Sequence, residues 1–148
     1  MNLPAIDAYL INLFKKIAGP VARFGLFVIF FWFGFLKVLG QSPATPLVQD
    51  LFEKTIHGID FKTFIVLFGI FEMTIGLLFL IKGLERVVIP LLFIHMITTF
   101  MPLFILPQET WSDFFVPTLE GQYIIKNLVV IAAAIGIAAE LYPLQSKK

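Results

Sequence analysis

The chain has 148 residues, a net charge of +1 and no cysteine. Hydrophobic residues make up 59% of it and charged residues 14%, against about 45–50% and about 25% in a typical globular protein. A soluble domain this small buries only about two-thirds of what its unfolded chain exposes, which speaks against a soluble fold for a sequence with 18 phenylalanines.

The missing cysteines exclude disulfides, thiol chemistry and thiolate metal sites. The near-zero charge gives no pull toward nucleic acid. The length fits one domain, and residues 1–148 are read as a single transmembrane domain.

The opening stretch, MNLPAIDAYLINLFKK, lacks the basic leading region of a secretory signal and is expected to stay in the mature protein. Residues 4–18 place Ile6, Leu10, Leu13, Phe14 and Ile17 near one face, with Asp7, Asn12, Lys15 and Lys16 elsewhere. This predicts an amphipathic helix lying on the membrane surface, ended by Gly19-Pro20. Four apolar segments then approach the roughly 20 residues needed to cross a bilayer. They run over residues 21–40, 61–81, 87–106 and 123–142.

Between the first two spans, Ser42-Pro43 and Thr45-Pro46 are tandem cap-plus-proline starts. They introduce a second surface helix over 46–55, with Leu47, Val48, Leu51 and Phe52 opposite Gln49, Asp50, Glu53 and Lys54. The five residues KGLER, 82–86, force the second and third spans antiparallel. Pro90 falls near the start of the third span, where a proline is tolerated, and Pro102 should loosen its end. Residues 107–122 read as a loop that dips Trp111, Phe114 and Phe115 into the interface. The fold class expected is all-α: an integral membrane four-helix bundle with short interfacial amphipathic helices.

Basic residues gather in the N-terminal segment, the 82–86 turn and the C-terminus, and acids gather in the two longer loops. The positive-inside rule then puts both termini in the cytoplasm. At about 1.5 Å per residue, Lys37 lies roughly 5 Å and Lys126 roughly 5–8 Å below the outer boundary. Glu72 and His95 are level with each other, roughly 16 Å down, near the bilayer midplane.

A charge there costs at least ~2.5–3.5 kcal/mol and normally faces the bundle interior, paired. Gly69 and Gly76 flank Glu72 on one face, and Thr98, Thr99 and Pro102 follow His95 at helical spacing. The reading is a polar cluster of Lys37, Glu72, His95 and Lys126, supported by Trp32, Gly34, Thr98, Glu120 and Asn127. Arg23, Glu85, Arg86 and Glu140 read as solvated anchors at the span ends. A carboxylate, an imidazole and ammonium groups can bind an anion, a carbonyl or a quinone head group, or pass protons. No HxxxH, ExxH or cysteine pattern offers a metal site.

The segments FFWFGFLKVLGQSPATPLVQDLF (30–52), GIFEMTIGLLFLIKG (69–83) and PTLEGQYIIKNLVVIAAA (117–134) resemble the DoxX-like family of small membrane proteins. The likeness is greatest to the branch beside the YkgB-like proteins, and it covers most of residues 24–139. Trp32, Gly34, Lys37, Glu72, Glu120, Gly121 and Lys126 match the recurrent positions. The resemblance implies a four-span bundle in a bacterial inner membrane. It also implies kinship with the membrane subunit of an archaeal thiosulfate:quinone oxidoreductase and with oxidative-stress systems.

Three functions are compatible with this sequence. One is a quinone-interacting subunit of a redox system, with a quinone as its non-covalent cofactor and a soluble or membrane redox partner. The second is a small proton-linked or anion transporter or channel, which would need a homo-oligomer for room. The third is a non-catalytic assembly or scaffold protein.

Overall fold

The computed structural model describes residues 3–144. Its elements in chain order are α1 (Leu3–Val38), α2 (Thr45–Thr55), α3 (Phe61–Leu80), α4 (Glu85–Phe100), α5 (Pro102–Ile105), α6 (Pro107–Thr110), β1 (Trp111–Asp113), β2 (Val116–Pro117) and α7 (Leu119–Ala139). Among the described residues four stretches are long and apolar enough to cross a membrane: α1, α3, residues 85–105 and α7. They form an all-α four-helix bundle. One end of it carries residues 39–60 and 106–118 (the loop end). The other carries the tight turn at residues 81–84 (the turn end).

The surface confirms the solvent. Trp32 is 62%, Ile94 57% and Val129 72% exposed, and such a ring of bare apolar side chains is stable only against lipid. The core runs through the turn-end half of the bundle, where Ile75, Phe79, Val88, Leu92 and Ala134 are fully covered. Lipid is as apolar as these side chains, so close packing rather than water exclusion must hold the helices together.

Glycines allow it. A Cβ on Gly34 would fall 2.5 Å from the Gly69 carbonyl oxygen, and one on Gly76 would fall 2.8 Å from the Phe31 backbone nitrogen. The α1–α3 contact is the most extensive in the fold.

Three boundaries differ from the sequence reading. The surface helix expected over 4–18 and the span expected over 21–40 are one continuous helix, with Pro20 inside it. Proline removes only the bond to the Lys16 carbonyl, and each residue beyond still adds one bond to an existing helix, so the ladder resumes. The fourth span lies over 119–139 rather than 123–142. Thr118 is extended and its Oγ accepts from the Gly121 amide at 3.1 Å, which starts the helix inside the polar stretch LEGQ that hydropathy passes over. Thr45 is the first residue of α2, not its cap.

The third span breaks at Met101–Pro102, as Pro102 demands. The loop expected over 107–122 contains a turn of helix and the antiparallel hairpin β1–β2. Phe114 and Phe115 stand 85% and 79% exposed at its tip, and Phe115 takes a left-handed φ of 57°.

Candidate functional site

One stripe of α1 carries Arg23, Leu26, Phe30, Gly34 and Lys37, at spacings of three or four. Leu26, Phe30, Gly34 and Lys37 are buried, as the helical repeat requires of one inward face. On α3 the matching stripe is Ile65, Gly69, Glu72, Ile75 and Phe79, and on α4 it is Glu85, Val88, Leu92 and His95. The three stripes face one another, and the polar residues on them meet at two levels.

At the level nearer the loop end, Lys37 Nζ donates to Glu72 Oε2 at 2.6 Å. His95 Nε2 lies 3.3 Å from Glu72 Oε1. Each of the three residues is only 5% exposed. Lys37 is the penultimate residue of α1, yet its side chain does not reach out to the membrane surface. A helical side chain leans toward its own N-terminus, which here is the direction of Glu72. The glycine contact between Gly34 and Gly69 brings the two backbones close enough for the pair to form.

The His95 ring is enclosed by Phe30, Phe68 and Phe71, with centroids at 5.4, 5.2 and 6.0 Å. Lys37 Nζ also stands 5.5 Å from the centre of the Phe68 ring. The Thr98 and Thr99 hydroxyls donate to the His95 carbonyl oxygen at 2.7 and 3.1 Å, so they serve the helix backbone first.

We assign the proton of the neutral ring to Nε2, because that nitrogen faces a Glu72 oxygen that only accepts; the Thr99 hydroxyl, 3.4 Å from Nε2, can accept as well. In the neutral ring Nδ1 is then a bare acceptor. It is buried and no described protein atom donates to it. Such an unmet acceptor is costly, and it is the one atom of the site without its complement.

Of the residues singled out from the sequence, Lys37, Glu72 and His95 come together, Gly34 sets their spacing, and Thr98 braces the His95 turn. Lys126 does not join them. It is exposed on α7, with Nζ 5.1 Å from the Tyr123 ring centre. Depth gives height but not direction: Lys126 is two residues from buried Ile124, roughly 200° around the helix. Asn127 bonds back to the Tyr123 and Ile124 carbonyls of its own helix at 3.0 and 3.3 Å. Glu120 is exposed in the first turn of α7, and Trp32 faces outward.

The sequence reading also missed a second buried pair. Arg23 and Glu85 are not solvated anchors. An Arg23 guanidinium nitrogen donates to Glu85 Oε1, and Glu85 is 5% exposed. The three-and-four spacing that leads from Lys37 through Gly34, Phe30 and Leu26 to Arg23 was the available signal. Arg86 and Glu140 are exposed as expected, and Arg86 bonds the Tyr142 carbonyl.

At the loop end, burial and the nearby Asp50 carboxylate hold the Glu109 carboxyl above its usual range. Lys54 offsets this in part and Glu120 adds to it. Among the described residues no three His, Asp or Glu side chains gather as metal ligands.

Fold and site together define a multi-pass membrane protein with a buried Lys–Glu–His triad. Comparison with protein-family models, curated proteins and solved structures finds no match for this chain.

Proposed function

We propose that this chain is a quinone-interacting membrane subunit of a redox or oxidative-stress system, set in a bacterial cytoplasmic membrane with both termini in the cytoplasm. The observation that carries the reading is the bare, buried Nδ1 of His95. It suits a hydroxyl donor, which the reduced ring of a quinone offers and a fully deprotonated anion does not. His95 Nδ1 would accept that hydrogen bond, and Glu72 against Nε2 would stabilise the imidazolium if the proton followed. Lys37 balances the Glu72 charge, so the site stays neutral until a proton arrives. A bound quinone supplies two-electron carrier chemistry, and a soluble or membrane partner exchanges the electrons. The likeness to the DoxX-like family supports the same reading. The bacterial setting rests on that likeness alone, and the orientation rests on the basic residues of the turn end.

A second reading, a non-catalytic assembly protein, draws on the same triad, because it ties α1, α3 and α4 together. The transporter reading is weakened by the outward-facing Lys126, which removes the second cation from any shared path.

Extraction in mild detergent, followed by chromatography of the co-purified lipids, separates these readings. The wild-type chain should retain a quinone. His95→Gln should not, because glutamine keeps the donor to Glu72 but deletes the Nδ1 acceptor. A wild-type protein without quinone, even after incubation with decylubiquinol under reducing conditions, overturns the proposal.

A further inference from the structure

Four rings run in file from the loop-end surface to the triad. Phe52 of α2 lies 4.8 Å from Phe64, Phe64 lies 5.5 Å from Phe68, and Phe68 lies 5.2 Å from His95, all between ring centres. Phe64 and Phe68 are stacked, with planes 14° apart. Both are only partly covered, whereas Phe52 is 6% exposed and is the buried residue of α2. So Phe52 is the buried anchor of α2, seated on Phe64 and on Phe61 at 5.4 Å, with Asp50 of the same helix beside Glu109 of α6.

The helix packs chiefly on α3 and the short α5. A glycine with a left-handed backbone stands on each side of it: Gly40 at φ 68° and Gly58 at φ 100°. A Cβ on either would meet nothing within 4 Å. Neither glycine is therefore needed for close packing. Both serve the chain direction, and glycine is the residue that turns there most freely.

We infer that α2 is a lid over the route by which a ligand reaches His95, and that the route admits a flat, uncharged ring compound. The ligand class rests on the function proposed above; the route does not. Its walls are phenylalanine rings, which favour a ring sliding along their faces and give an ion nothing to replace its water. Lys37, poised over Phe68, is the first charge met on the way in, and it is already paired to Glu72. When α2 swings on Gly40 and Gly58, Phe52 withdraws from Phe64 and uncovers the stack. The competing way in is the apolar groove between α4 and α7, about 410 Å³, lined by Met96, Ile97, Phe100 and Ile131 among others. It lies one residue round the helix from His95 and opens to lipid.

The chain has two histidines, and the other, His57, is exposed. In a His57→Gln background His95 is the one imidazole, and its modification by diethyl pyrocarbonate, read on the peptide that carries it, reports access to His95 whatever the natural ligand is. The reagent is small and neutral and needs an unprotonated imidazole nitrogen. Rates are followed by mass spectrometry, with the protein in nanodiscs at one pH.

Phe52→Ala should speed the modification roughly tenfold, since local opening governs access. Phe52→Leu should give a smaller gain, and it keeps the test usable if the alanine variant does not fold. Ile97→Ala, in the lipid-facing groove, should leave the rate unchanged. A wild-type rate in both Phe52 variants, or a gain in Ile97→Ala that matches theirs, overturns the lid. A faster rate with no quinone retained would keep the route and discard the ligand.

Discussion

At Glu72 one carboxylate serves two partners on two helices, and each oxygen has its own. Removing one member of such a buried set is worse than removing the charged pair together. Lys37→Met strands an ionised carboxylate and should cost ~3–5 kcal/mol, whereas Lys37→Met combined with Glu72→Leu should recover most of that loss. Denaturant or thermal unfolding of the two variants in one detergent checks this; equal losses would mean that the pair does not hold opposite charges. The double variant should also lose quinone, which separates the site's chemistry from its packing. How much of the site could be read in the sequence follows from what depth encodes. Glu72 and His95 sit at one height on consecutive spans, and height comes from counting residues. Lys126 has the right height and the wrong azimuth, and Arg23 and Glu85 were judged by height alone when their spacing placed them inward.

The helices are positioned by glycine contacts and by how their ends are capped. Gly34 is the tightest point between α1 and α3. Gly34→Ala should push the two helices apart, cost ~1–3 kcal/mol as overpacking does, and lengthen the Lys37–Glu72 bond. A melting experiment tests it, and an unchanged melting temperature would contradict the close approach. The attachment of α2 to α6 should depend on pH. Folded Glu109 keeps its proton to a higher pH than in the unfolded chain, where the carboxyl titrates near 4.5. The native state therefore binds more protons above that value, and stability falls as pH rises through the window. Melting temperatures measured from pH 4.5 to neutrality should show the decline, and Glu109→Gln, which cannot ionise, should flatten it. The existence of every long helix was legible, because 20 apolar residues leave the backbone no other way to satisfy its hydrogen bonds in lipid. The helix ends were less so. Gly19-Pro20 reads as a stop because both residues weaken a helix, yet one lost bond does not end a helix of 36 residues. The hairpin of 111–117 was hidden because its turn uses Phe115 in a left-handed conformation, where glycine or asparagine is the usual signal.

For the described residues as a whole, four crossings put Leu3 and Leu144 on one side of the membrane together with the 81–84 turn. The helix α1 is about 54 Å long at 1.5 Å per residue, against a hydrocarbon core of about 30 Å, so its first turns extend beyond the bundle at that side. Because the chain lacks cysteine, Leu84→Cys gives a single thiol at the turn. It should be labelled by an impermeant maleimide only from the cytoplasmic face; labelling from outside would invert the proposed orientation and place the loop-end lid in the cytoplasm. The central claim is narrower: His95 Nδ1 is a bare acceptor that a ligand hydroxyl completes. Nitrogen NMR of the chain in nanodiscs, with its histidines labelled with ¹⁵N, observes that atom directly, and His57 serves as the internal control. On addition of decylubiquinol the acceptor-type Nδ1 resonance of His95 should shift while that of His57 stays in place, and in Glu72→Gln the shift should weaken. A His95 spectrum that is the same with and without decylubiquinol, or one in which Nδ1 already carries the proton in the free protein, would contradict the account.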